Sequence, residues 1–243
     1  MTPLEIIRRA QAATLTDEDG HVVSLEFLPG LSHSELQDFA GQVPCRIPPE
    51  IMDLLRECSG FNGTVEQVDF TGRDLMFEFE AAFPHGLPIA TDGYGNFWVV
   101  DLHPETERWA PIYFACHDAP VILYQADSLD QFLRELFLMF EPPHRSLIND
   151  VHEDRLANVW QTNPGVLSYE RCLWSEDPIL TAFARELDES FQIIDLRQAR
   201  PGDGFSWGRY GPKTQVKRFR AHAVFAYQKP RGVISRLLER APG

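Results

Sequence analysis

Cys116-His117-Asp118 sets a thiol, an imidazole and a carboxylate side by side, the residue types of nucleophilic catalysis. Adjacency argues against that use, because consecutive side chains of an extended chain point to opposite faces and do not converge as a triad. No separate nucleophile motif offers His117 a distant serine or cysteine, so a structural hydrogen bond or a surface contact is its plainer role. His85, His103 and His117 with Asp92 or Asp101 supply zinc-type donors, but no HExxH or other compact ligand spacing joins them. Cys45, Cys58, Cys116 and Cys172 contain no CxxC pair, which excludes a zinc knuckle and a thioredoxin-like redox pair. Among 36 acids some glycosidase-like carboxylate pair can always be chosen, and its separation is not readable from sequence. These residues predict no catalytic set, no bound metal and no cofactor.

Asp92-Gly93-Tyr94-Gly95-Asn96 lacks both the GxGxxG spacing and the Walker lysine, so it is not a phosphate cradle. Gly93, Gly95 and Asn96 suit a tight reversal before a strand, with exposure as a partner-contact loop the alternative. Glu57, Asp69, Asp74, Glu78, Asp92 and Asp101 are candidate contacts for a basic partner, since acidic surfaces steer cationic ones.

The 243 residues carry a net charge of −14, which disfavours nucleic acid and anionic membrane as partners. The charge is uneven. Residues 1–150 hold 25 acids against 8 bases, whereas residues 197–240 hold 11 bases against 2 acids. A basic run of this kind reads first as a solvated face, with docking on the acidic part of the chain or on an outside acidic partner as alternatives. Trp207, Arg209, Tyr210, Lys213, Lys217, Arg218 and Arg220 add aromatic groups to it without any nucleic-acid fold motif. Apolar residues at 44% give enough material for a large core, and no stretch approaches a membrane span or a signal peptide. A cytoplasmic, reduced chain is expected.

These groups sit on a legible order of elements. Helices are predicted over 4–13, from the Ser32/Glu35 capping box, and from Pro48 or Pro49 to a stop at Gly60. Strands are predicted over 22–27, 65–70, 74–79, 97–102, 111–116 and 121–124, the last three joined too tightly for crossover helices and therefore antiparallel. Trp98, Tyr113, Phe114 and Tyr124 on them are expected in the core. Ser128 starts a helix with Leu129, Phe132, Leu133, Leu136 and Phe137 on one face. Glu141-Pro142-Pro143 breaks the chain, predicting a first domain over 1–141 and a basic extension over 142–243 packed on it. The extension is read as helices over 151–162 and 175–189, strands over 191–196 and 221–227, a glycine-rich loop over 201–212, and a short final helix around Val233, Leu237 and Leu238.

Residues 31–136 resemble the SMI1/KNR4 family, also called the SUKH superfamily. Ile47-Pro48-Pro49-Glu50-Ile51-Met52-Asp53-Leu54-Leu55 followed by Ser59-Gly60-Phe61-Asn62-Gly63 looks like the family's proline-glutamate helix and its glycine turn, with Phe61 between the glycines. Ile89 through Leu102, around Asp92-Gly93-Tyr94-Gly95-Asn96, resembles the family's central signature, and Pro111 through Phe114, His117-Asp118 and the helix from Ser128 match its closing half. The resemblance implies an α+β domain, an antiparallel or mixed sheet flanked by helices. It implies a non-catalytic protein-binding role: a bacterial immunity protein neutralising a toxin domain, or a scaffold or regulator, ahead of a hydrolase.

Overall fold

The computed structural model describes residues 1–229 except 64–66, 74, 78, 209, 212 and 213, together with the backbone but not the side chains of 152 and 153. Helix α1 (Pro3–Ala12) and helix α2 (His33–Gln42) each start at a reciprocal capping box, Thr2 with Glu5 and Ser32 with Glu35. Helix α3 (Pro49–Glu57) opens on a proline, whose missing N–H costs nothing in a first turn.

It does not run to Gly60. The helix ends at Glu57 and strand β2 (Cys58–Asn62) follows at once, pairing with β1 (Glu26–Pro29) and β3 (Gln67–Asp69). A Cβ on Gly60 would lie 2.1 Å from the Val68 carbonyl oxygen, so this glycine permits close strand approach and is no helix stop.

Strands β4 (Gly86–Thr91), β5 (Phe97–His103), β6 (Arg108–Cys116) and β7 (Val121–Ala126) continue the sheet through antiparallel neighbours. Helix α4 (Leu129–Leu138) then packs back, capped by the Ser128 hydroxyl that accepts from Gln131 N.

The predicted strand over 74–79 is absent among its described residues. Leu75, Phe77 and Phe79 alternate as a strand would, yet they drape over the sheet, with Phe77 and Phe79 ring centroids 5.8 and 6.2 Å from Phe97. The predicted 22–27 strand shifts to 26–29, Val22 forming an isolated bridge to Thr16.

After α4 the chain forms short helices α5 (Leu147–Asn149), α6 (Leu156–Thr162), α7 (Tyr169–Leu173) and α8 (Pro178–Arg185), a wide helical turn over Asp150–Arg155 lying between the first two. Strand β8 (Phe191–Asp195) comes next. The glycine-rich segment is not all loop, since β9 (Gly204–Ser206) pairs antiparallel with β7 and closes that edge of the sheet. Strand β10 (Val216–Arg218), not anticipated from sequence, joins β11 (Val224–Gln228) and β8 in a second sheet of order β10-β11-β8. The predicted final helix lies outside the described residues.

The described residues thus form a mixed α+β fold in which antiparallel sheets are flanked by helices, with further strands and helices beyond the first sheet. Alternation along β5 shows how the layers assemble. Trp98 and Val100 pack with Ile7, Leu54, Phe132 and Leu136 under the helices, while Phe97 and Val99 face Phe205, Phe225 and Tyr227 from the C-terminal segment. The second sheet alternates likewise, sending Val224 and Ala226 toward Phe183 and Cys172 of α8 and α7. Burial on both faces is why β5 reads as a nearly unbroken apolar run.

Candidate interaction surface

The turn between β4 and β5 is fixed by its own side chains. Asp92 Oδ1 accepts from the backbone N–H groups of Tyr94 at 2.9 Å and Asn96 at 3.3 Å, and Asn96 Nδ2 donates to Asp92 Oδ2 at 2.6 Å. Buried Asn96 ties the turn to the sheet, its Oδ1 accepting from His117 N at 2.7 Å. Gly93 and Gly95 take φ of 76° and 85°, values that disfavour any residue with a Cβ. What this rigid frame presents is Tyr94, 75% exposed.

Met76 is likewise exposed, at 87%. Together they line a groove of about 380 Å³ whose wall is built from Leu75, Phe79, Phe97 and His117. Phe79 is anchored by an edge contact with Trp207 at 5.8 Å, so the C-terminal segment buttresses the groove from behind. An exposed aromatic and a flexible thioether on a braced apolar wall suit protein recognition, since tyrosine buries large area at small ordering cost and methionine adapts its shape to the surface it meets.

A second cleft of about 310 Å³ lies where β5 ends against β10, lined by His85, Asp101, His103, Glu105, Arg218 and Arg220. Its centre is a buried ion pair. Arg218 donates to both Asp101 oxygens at 2.7 and 2.5 Å, and His103 Nε2 lies 3.1 Å from Asp101. Burial raises the Asp101 pKa, but the hydrogen bonds from His103 and Arg218, and the Arg218 charge, outweigh it and hold the carboxyl below the usual carboxylate range. Among the ion pairs of the described residues, this one joins the basic C-terminal run to the acidic N-terminal part, so Arg218 is docked within the chain and is no solvated base.

The four described candidate acids, Glu57, Asp69, Asp92 and Asp101, do not form one patch. Glu57 is exposed and pairs with Arg8. Asp92 is spent on its turn. Asp69 and Asp101 are buried, Asp69 accepting from Thr71 N and Oγ1 at 2.8 and 2.7 Å, and burial removes both from any partner-facing surface. Asp74 and Glu78 lie outside the described residues.

The catalytic-looking groups separate in space. Cys116 is buried with its thiol pKa pushed up by that burial, while His117 and Asp118 are exposed, their Nδ1 and Oδ1 3.9 Å apart. His85 and His103 line the Asp101 cleft, and His117 lines the Tyr94 groove. Among the described residues, the one group with metal-ligand proximity is Asp17, Asp19 and His21, on an exposed turn where Asp17 already accepts from the backbone N–H groups of Asp19 and His21.

Sequence reading missed Met76, Phe79 and Phe97 as a surface because 75–79 mimics a strand. A tyrosine between two glycines was the available signal.

Residues 30–135 match the SMI1 / KNR4 family (SUKH-1), bounds one residue from those of the resemblance. No curated protein and no solved structure matches the chain. Family membership of this stretch points to a non-catalytic protein-interaction role, and every described residue that lines the Tyr94 groove falls inside it. The stretch that builds most of the large sheet and displays the Asp92–Asn96 turn is therefore an SMI1/KNR4 (SUKH-1) domain, which the chain carries over residues 30–135.

Proposed function

We propose that this chain is a protein-binding module of the immunity type, acting in the cytoplasm, which neutralises a toxin domain by covering it and not by chemistry. The observation that carries the reading is the exposed pair Tyr94 and Met76, held on a hydrogen-bonded turn and an aromatic wall within the family domain. Steric occlusion asks only for a stable complementary surface, and a braced apolar centre with a polar rim is the anatomy of such a surface. The buried thiols and the scattered histidines fit this reading better than hydrolysis.

The test uses the tagged full chain as bait for the proteins encoded beside its gene. Stable recovery of a toxin domain, restored growth when the two are co-expressed, and loss of that protection with Tyr94→Ala are the expected results. An active neighbouring toxin that forms no complex with the chain and is not restrained by it overturns immunity for that pair.

A further inference from the structure

The groove at Tyr94 is joined by a short run of contacts to the place where the last strand ends. Strand β11 closes with Tyr227 and Gln228, and Lys229 N donates to the Ser190 carbonyl at 2.8 Å. The Tyr227 hydroxyl accepts from Asn163 Nδ2 at 2.7 Å, and Asn163 Oδ1 accepts from Ser206 N at 2.8 Å. The next residue is Trp207, whose ring meets Phe79 of the groove wall at 5.8 Å. Two hydrogen bonds and one ring contact thus lead from β11 to the groove. Residues 230–243 lie outside the described residues, and their sequence is the kind that an apolar wall accepts. Val233, Ile234, Leu237 and Leu238 recur at the spacing that sets apolar side chains on one helix face. Val233 follows Tyr227 by six residues, a reach of up to about 20 Å in extended chain. None of the described residues lining the groove carries a carboxylate, so its complement is set by the apolar wall and not by charge.

We propose that residues 233–238 dock in the groove of their own chain, laying Val233, Ile234, Leu237 and Leu238 on Phe79 and Phe97 beside Met76 and Tyr94, and that a protein partner binds by displacing them. The inference rests on the protein-binding reading above and adds the regulation of that same surface. Covalent connection selects this occupant over a second copy or a free segment. A segment attached so close by is presented at roughly 1 mM, so an apolar contact with a free-peptide Kd of roughly 0.1–1 mM covers the groove about half to nine-tenths of the time. That cover raises the apparent Kd of a competing partner by about 2–10-fold, and it keeps an exposed apolar patch from associating with unrelated surfaces.

The chain holds four methionines, Met1, Met52, Met76 and Met139, so methyl-labelled methionine in the full-length protein gives a short spectrum in which Met76→Leu identifies the groove signal. Val233→Asp with Leu237→Asp is expected to move the Met76 signal while leaving Met52 and Met139 in place. A peptide of residues 230–243 added to that variant should return the signal toward its native position with a Kd of about 0.1–1 mM. Arg231→Ser with Arg236→Ser, which removes charge and keeps the apolar face, is expected to leave the signal where it is. Ser235→Cys carrying a nitroxide, in a Cys45→Ser background, leaves that face intact and should broaden Met76 more than Met52 or Met139. The aspartate variant should also bind the toxin domain of the preceding test about 2–10-fold more tightly.

A Met76 signal unmoved by the aspartate variant and unbroadened by the nitroxide, an equal response to the arginine variant, or broadening by a nitroxide carried on a separate copy, which marks a second copy as the occupant, overturns the proposal. So does an aspartate variant that binds its partner no more tightly than the native chain. The methionine spectra need no partner and growth protection reads neutralisation, so failure of one is distinguishable from failure of the other.

Discussion

Replacing Arg218 with methionine keeps most of the side-chain volume and removes the charge that faces Asp101. The two side chains are 4% and 1% exposed, so water cannot substitute for the lost guanidinium. Breaking such a buried pair from one side costs about 3–5 kcal/mol, and the remaining His103 contact at 3.1 Å places the expected loss near the lower end, about 3 kcal/mol at neutral pH. For a chain of this size that is a fall in Tm of about 6–12 °C. The pH dependence carries a sign. In the native protein the Asp101 pKa is lowered, so its contribution is present above the unfolded pKa near about 3.9 and is lost as pH falls through the folded value. In Arg218→Met the burial remains without its main counter-charge, the Asp101 pKa moves up, and the penalty is relieved by protonation. The stability gap between the two proteins should therefore narrow as pH falls. Urea unfolding followed by tryptophan fluorescence and by circular dichroism at several pH values measures this, and Arg218→Met with Asp101→Leu should recover to within about 1 kcal/mol of the native protein. A single variant within about 0.5 kcal/mol of native at neutral pH, or a gap that widens toward acid, refutes the reasoning.

Gly60→Ala should cost about 1–3 kcal/mol, because its Cβ meets the Val68 carbonyl oxygen at 2.1 Å between two paired strands; an unchanged urea midpoint would contradict the packing. Ser128→Ala removes the cap of α4 and should cost about 1 kcal/mol without altering the near-ultraviolet dichroism of the core. Thiol labelling near pH 8 should leave Cys58, Cys116 and Cys172 unreacted until unfolding, since burial raises all three and pushes Cys172 up to about 11, while half-buried Cys45 reacts slowly; rapid native labelling of Cys116 would revive a nucleophilic role. Asp92→Ala should speed amide exchange at Tyr94 and Asn96, whose N–H groups lose their acceptor, with only a small change in the melting temperature.

Much of the fold was legible wherever local chemistry and tertiary demand agree. Ser32 and Glu35 cap the helix that their spacing predicts, and the run from Phe97 to Leu102 is a strand because both of its faces are covered. The reading failed where a tertiary partner decides the outcome. Gly60 looks like a helix stop until the approach of Val68 is known, and Leu75, Phe77 and Phe79 alternate like a strand although their partners are side chains on a sheet face and not a neighbouring backbone. Gly204 to Ser206 gives no strand signal, since three residues in a glycine-rich stretch pair with β7 only because that edge is open to them. The charge asymmetry along the chain hinted at docking of the basic run, but which acid would receive it was invisible. Asp101 sits in the strongest strand and looks like one surface acid among many until Arg218 is found against it.

The candidate surface was half visible. Asp92-Gly93-Tyr94-Gly95-Asn96 marks a turn from composition alone, whereas the pairing of Tyr94 with Met76 depends on how the 75–83 segment folds over β5.

The most direct measurement is amide exchange of the full chain with and without the toxin domain encoded beside its gene, at concentrations where that toxin is active. The expected result is a stoichiometric complex in which protection appears at 91–97 and 75–80 and spares the Arg218 cleft. Full toxin activity in the presence of excess chain, or a complex that leaves both of those segments exchanging as in the free protein, contradicts the assignment of this surface to neutralisation.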